Sequence, residues 1–227
     1  MCVLLALAAT ITLLWLGRRL VLVAAGRLLV AEDAIEPVEM IVASWADLLG
    51  DTLEAAHLQH EGISARIALP AVATTPVTEE IRRLGGFGWS PTEYAAWLLK
   101  RSGVPRGAIE MLPGVVDGTD SEVAAVAALA RREKPESLLY VTARTHSARA
   151  RRLLRTQLPP GTRVLVRSPR TDAFAPDSWW YSRDQSRDVT MEYLRWINTF
   201  VFGDLWAKQA SRPVAYGVRR TTACPTS

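Results

Sequence analysis

Hydroxyl, imidazole and guanidinium groups crowd into one short stretch, Thr142-Ala143-Arg144-Thr145-His146-Ser147-Ala148-Arg149-Ala150. It follows an apolar, β-prone run at 137–141 and opens a segment, 145–157, with helical spacing and four arginines. A strand that ends in such groups and turns at once into a helix aims several donors and one titratable ring at a single place, and strand ends are where open α/β sheets bind ligands. Guanidinium groups neutralise phosphate and hydroxyls donate to its oxygens. An imidazole can carry a proton or bond to the same oxygens. A plainer alternative reads Thr145 as a helix cap, His146 as a first-turn surface residue and the arginines as a solvated face.

A second set of candidates lies upstream, in Asp117-Gly118-Thr119-Asp120-Ser121-Glu122. Thr119 and Glu122 have the spacing of a capping box, and the same helix start can hold an anion on its free amides. His146, Glu122 and Asp117 are therefore the candidates for proton handling. Ser44, Thr119, Thr142, Arg144, Thr145 and Arg149 are the candidates for ligand binding. Asp117, Glu122 and His146 could surround a metal, but no His-x-x-His or paired-acid spacing supports one, and none is assigned. His57 and His60 sit in a polar helical stretch and read as surface. Ser168, Arg170 and Asp172 complete the set, with Arg170 and Asp172 reading as a surface loop pair.

The elements that must position these groups alternate. Strands are predicted at 39–43, 65–69, 108–112, 138–141 and 163–166. Helices fall between them, with Leu48, Leu49, Leu53 and Ala56 at helical spacing in the first. Ser90-Pro91-Thr92-Glu93 combines a capping hydroxyl, a first-turn proline and a carboxylate three residues on, so a helix through 101 is strongly signalled. Helices between strands imply right-handed crossovers and a parallel sheet. The expected fold is a three-layer, Rossmann-like α/β sandwich with about five mainly parallel strands, in which the loops after the strands share one rim. Gly85-Gly86-Phe87-Gly88 follows no convincing strand and reads as a loop; neither a P-loop nor a Gly-x-Ser-x-Gly elbow is present.

Among 227 residues, 27 basic against 23 acidic groups is too mild a surplus for nucleic acid. Cys2 and Cys224, at opposite ends, define no disulfide framework. Residues 2–16 are all apolar or threonine, and after Gly17-Arg18-Arg19 an apolar run, broken by Arg27, resumes to Val30. With Trp15 beside two arginines this resembles a membrane anchor at its interface. The domain division expected is a hydrophobic segment at 1–30, an α/β domain at 37–207 and a mobile tail at 208–227. Past the fifth strand, Val189, Tyr193, Trp196 and Phe200 recur at helical spacing as a packing stripe. Trp179 or Trp180 could instead cover the rim.

The segments GTDSEVAAVAAL and VTARTHSARARRLL, preceded by RSGVPRGAIEML, resemble the DUF218 family of bacterial proteins, also described as YdcF/SanA/ElyC-like. The likeness spans roughly 39–203 and is concentrated in 103–152. Thr119, Glu122, Thr142, His146, Arg149 and Ala150 sit where that family's motif residues would be. Where the family has Gly-rich turns after its first two strands, this chain reads Ala43-Ser44-Trp45-Ala46 and Leu69-Pro70-Ala71-Val72. A bulky tryptophan and a proline without an amide hydrogen reduce any backbone cradle there. The resemblance implies an envelope protein of the bacterial cytoplasmic membrane, attached by one N-terminal helix. It would bind an anionic small-molecule or lipid-linked ligand, either as a hydrolase or transferase or as a module without turnover. No cofactor is specified.

Overall fold

Apolar side chains alternate along the buried strands, and the alternation sorts them into two cores. The strands are β1 (Met40–Ala43), β2 (Ile67–Leu69), β3 (Ile109–Met111), β4 (Ser137–Val141) and β5 (Arg163–Arg167). Met40, Val42, Leu138, Tyr140, Val164 and Val166 enter one core. Ile41, Ala43, Ile67, Leu139, Val141 and Leu165 enter the other. All neighbouring strands are parallel, in the order β3-β2-β1-β4-β5. A sheet covered on both faces explains why the strands read as continuous apolar runs.

The computed structural model describes residues 2–210; within them the side chains at 2–11, 13–14, 200 and 202–210 are outside the description. Most of the predicted mobile tail, with Cys224, therefore lies outside the described residues. The fold is α/β and Rossmann-like, with seven α-helices among the described residues. Beside β1 to β5 these are α1 (Cys2–Leu28), α2 (Leu48–His60), α3 (Pro76–Arg83), α4 (Pro91–Arg101), α5 (Thr119–Glu133), α6 (Ser147–Gln157) and α7 (Arg183–Ala210). Helices α5 and α6 cover the face of Val42 and Tyr140, while α2 and α4 cover the face of Ile41 and Val141. The predicted capping box of α4 is formed: Glu93 N–H donates to Ser90 Oγ at 3.1 Å, and Ser90 N–H donates to Glu93 Oε2 at 2.6 Å.

Helix α2 departs from its apolar spacing. Leu49 is exposed and Leu53 only half-buried, whereas Asp51, Thr52 and Glu54 face inward. Glu54 is offset by Arg170, whose Nε donates to it at 2.9 Å, so Arg170 pairs with α2 and not with Asp172.

Among the described residues no helix is long and apolar enough to cross a membrane. The end of α1 docks on the domain instead of leading into a free linker. Trp179 Nε1–H donates to the Leu22 carbonyl at 2.8 Å and the Tyr193 hydroxyl donates to that of Ala25 at 2.7 Å. Trp179 is buried with Leu29, Phe174 and Val189, so it pins α1 and does not cover the rim. The close approach uses Gly26, where a Cβ would lie 2.3 Å from the Pro176 carbonyl oxygen and 2.7 Å from the Trp179 ring. Gly26→Ala should accordingly cost ~1–3 kcal/mol of stability by overpacking, read from the midpoint of urea unfolding.

Candidate functional site

The strand order reverses between β1 and β4, and in doubly wound sheets the crevice beyond the carboxyl ends at that reversal is the ligand position. A cavity of about 770 Å³ opens there, lined among others by Trp45, Thr119, Thr145, His146 and Arg149. The turns after β3 and β4 meet across it: Arg149 Nη2 lies 3.4 Å from Thr119 Oγ1.

Three side chains lock the inner wall. Arg149 Nε donates to Glu192 Oε1 at 2.6 Å, and Arg149 Nη2 lies 2.9 Å from His146 Nδ1. Glu192, on α7, is also 3.3 Å from His146 Nδ1 and accepts from Arg195 at 3.3 Å. All three of Arg149, His146 and Glu192 are buried. Burial alone would raise the Glu192 carboxyl, but its contacts with the His146 ring and the Arg149 guanidinium carry it down to about 2. Burial pushes His146 below its ordinary value, and the Arg149 charge adds to that against the opposing pull of Glu192. The ring is therefore neutral at pH 7. Because guanidinium can only donate, its 2.9 Å contact takes the Nδ1 lone pair and assigns the proton to Nε2. That Nε2 is buried and has no partner in the protein, although His146 lines the cavity. His146 Nε2 is thus the ring nitrogen left without a protein partner, and Nδ1 is already engaged.

The start of α5 is built differently from its sequence signature. Gly118 is the cap residue, and Ser121 Oγ accepts from the N–H groups of Asp117 and Gly118, each at 3.1 Å. The predicted Thr119–Glu122 capping box is absent because Glu122 points under β1. Trp45 N–H donates to Glu122 Oε1 at 3.0 Å and the Ser44 hydroxyl to Oε2 at 3.2 Å. Burial raises the Glu122 carboxyl to about 7, against hydrogen bonds from Tyr140, the Trp45 N–H and Ser44. A protein carboxylate thus occupies the amide that a ligand anion would have used after β1. The next two amides are taken as well: Ala46 N–H donates to Ser44 Oγ at 3.1 Å and Asp47 N–H to Asp51 Oδ2 at 3.2 Å. Asp51 is fully buried, and desolvation raises its carboxyl well above the ordinary range.

The predicted residues therefore divide. Thr119, Thr145, His146 and Arg149 line the cavity. Glu122 and Ser44 lie beneath it as one buried network. Thr142 is buried behind it, its N–H bonded to the Arg167 carbonyl. Arg144 is spent on structure: its Nη1 donates to the Phe174 carbonyl at 3.1 Å and its N–H to Asp172 Oδ2 at 2.6 Å. Asp117 is exposed and accepts from Ser121 at 2.8 Å. His57 and His60 are exposed, as expected. Among the described residues no group of three or more His, Cys, Asp or Glu is placed to hold a metal ion.

Glu192 is not among the candidate site residues read from the sequence, yet a signal exists. It falls between Val189 and Trp196 on the same α7 stripe, and a carboxylate on an inward face demands a buried cation.

The lining charge is also unlike the arginine-rich expectation. Asp47, Asp120, Asp172, Asp184 and Asp188 contribute to the wall, against Arg149 and Arg195, both of which already hold Glu192. Of these aspartates, Asp184 and Asp188 also pair with Arg187. Compared with protein-family models, curated proteins and solved structures, the chain matches none.

Proposed function

We propose that this chain is a DUF218-like protein that binds a singly phosphorylated ligand in the crevice beyond β1 and β4. The observation that carries the reading is the buried, unpartnered Nε2–H of His146 in a cavity that also holds Thr119, Thr145 and Arg149. A phosphate oxygen there would meet an imidazole donor, two hydroxyls and the first-turn amides of α5, which have no intrahelical acceptor. The five aspartates of the lining oppose further negative charge, so the rest of the ligand is neutral or cationic. A hexose monophosphate should bind at least tenfold more tightly than a nucleoside triphosphate, although the latter offers more contacts.

Turnover as a hydrolase or transferase rests on the resemblance alone. Binding without turnover is the second reading, and one feature favours it: of the proton-handling candidates, Glu122 lies behind Trp45, Asp117 is outside the cavity and His146 is held as a donor. Thermal shift of the full chain with hexose phosphates, polyprenyl phosphates and nucleotides tests the binding reading. Stabilisation by a monophosphate that His146→Ala abolishes supports it, and a flat screen with folded protein contradicts it. Release of inorganic phosphate in the same samples separates turnover from binding.

Attachment to a bacterial cytoplasmic membrane through α1 belongs to the same proposal. Its support is the exposed apolar surface at Trp15, Leu16, Leu20 and Val21, with Arg18 4.0 Å over the Trp15 ring. Recovery of the full chain in the membrane fraction after carbonate washing is the expected result; recovery in the supernatant contradicts it.

A further inference from the structure

A second cavity, of about 710 Å³, adjoins the first and differs from it in chemistry. Its wall is dominated by Leu48, Leu49, Phe87, Trp89 and Tyr94, against the aspartates and hydroxyls of the polar cavity. The two share Ala46 and Asp47, the turn after β1. That turn is fixed from below, because Glu122, Ser44 and Asp51 accept from the amides of Trp45, Ala46 and Asp47 in succession. Ala46, exposed and with only a methyl side chain, lines both spaces.

The aromatic side of the groove is open to solvent. Phe87 is 92% exposed, Trp89 43% and Leu49 42%. The rings are nevertheless ordered against one another: Phe87 meets Trp89 edge-on at 6.5 Å, and Trp89 meets Tyr94 at 6.1 Å. Contiguous apolar surface of this kind beside a polar site is suited to an apolar ligand part. What fits it here is set by continuity with the polar cavity across Ala46.

We infer that the ligand is an amphiphile, with its phosphate in the polar cavity and a hydrocarbon chain that passes Ala46 into the Leu49–Phe87–Trp89 groove. The inference rests on the phosphate reading above and deepens it from a phosphorylated compound to an alkyl or prenyl phosphate. Head group and chain are recognised by different elements: the head by the turns after β3 and β4, the chain by the α2 start and the loop before α4.

The test is a calorimetric titration of the full chain with butyl, hexyl and octyl phosphate, below their aggregation concentrations, alongside glucose 6-phosphate and octyl glucoside. Affinity should climb with chain length by up to about fourfold per methylene, the equivalent of ~0.8 kcal/mol. Octyl glucoside should bind at least tenfold more weakly than octyl phosphate. Phe87→Ser and Leu49→Asp, both at exposed positions, should flatten the chain-length dependence and leave butyl phosphate binding unchanged. Ala46→Trp, at the position the two cavities share, should weaken octyl phosphate more than butyl phosphate. If butyl phosphate and glucose 6-phosphate bind but longer chains add nothing, the amphiphile inference fails and the phosphate reading stands. If chains bind equally well with either head group and Ala46→Trp has no effect, the groove is independent of the polar site and the inference fails. If no phosphate binds at all, both readings fall.

Discussion

Replacing Glu192 with alanine should destabilise the protein by ~3–5 kcal/mol, the cost typical of leaving one member of a buried ion pair alone. Arg149 is buried and its Nε has Glu192 as its partner at 2.6 Å. Truncation would strand that guanidinium beside a neutral imidazole. Glu192→Gln should cost less, because the amide oxygen still accepts from Nε, but it also loses the charge. The acid limb of the stability profile carries the same information. Glu192 is held at about 2 in the folded protein against an ordinary 4.5. Its contribution is complete above pH 4.5 and is lost as pH falls through 2, a total of ~3 kcal/mol. Urea unfolding of the parent and Glu192→Ala between pH 2.5 and 7 checks both points. The variant should start lower and lose less on acidification; parallel curves would mean that the pair does not form.

Glu122→Gln should have the opposite sign. The folded protein holds the Glu122 proton up to about pH 7, whereas the unfolded chain releases it near 4.5. Between those values the folded state binds more protons, so stability declines as pH rises from about 4.5 to about 7, by up to ~3 kcal/mol. A neutral isostere removes that decline. The glutamine variant should match the parent near pH 5 and exceed it by ~1–3 kcal/mol at pH 8. Asp51, also raised by burial, keeps a residual slope of the same sign in both proteins. Equal denaturation midpoints at pH 8 would show that Glu122 is ionised without penalty. The two carboxyls thus act in opposite directions, Glu192 adding stability as pH rises to about 4.5 and Glu122 removing it between about 4.5 and about 7.

The frame of this fold was legible because its signals are local. Five apolar runs of strand length, helices between them, and the Ser90–Glu93 box each depend on neighbours in sequence, and the parallel sheet follows from their alternation. The order β3-β2-β1-β4-β5 then brings Thr119 and His146 to one crevice. What was not legible depends on partners distant in sequence. Glu122 has the spacing of a cap but turns to Ser44 and Trp45, since a buried amide after β1 needs an acceptor more than a solvated first turn does. Arg144 looks like a phosphate ligand until the 170–175 loop is seen against it, the Phe174 carbonyl accepting from its guanidinium and Asp172 from its main-chain amide. Arg149 loses its free charge to a carboxylate on α7, far along the chain. Helix α2 turns Asp51 and Glu54 inward where apolar spacing suggested Leu49 and Leu53, because Arg170 and the Asp47 amide are the partners waiting there.

In the proposed site His146 is a neutral ring, with Arg149 on Nδ1 and a free Nε2–H offered to a phosphate oxygen. Nitrogen-15 NMR of the full chain labelled at histidine reads this directly, with exposed His57 and His60 as internal references. At pH 7 the account predicts an Nε2–H tautomer for His146, which persists on acidification below pH 6.5, and a shift of that Nε2 resonance when glucose 6-phosphate is added. An Nδ1–H tautomer, or an Nε2 signal that no phosphomonoester moves, would contradict it.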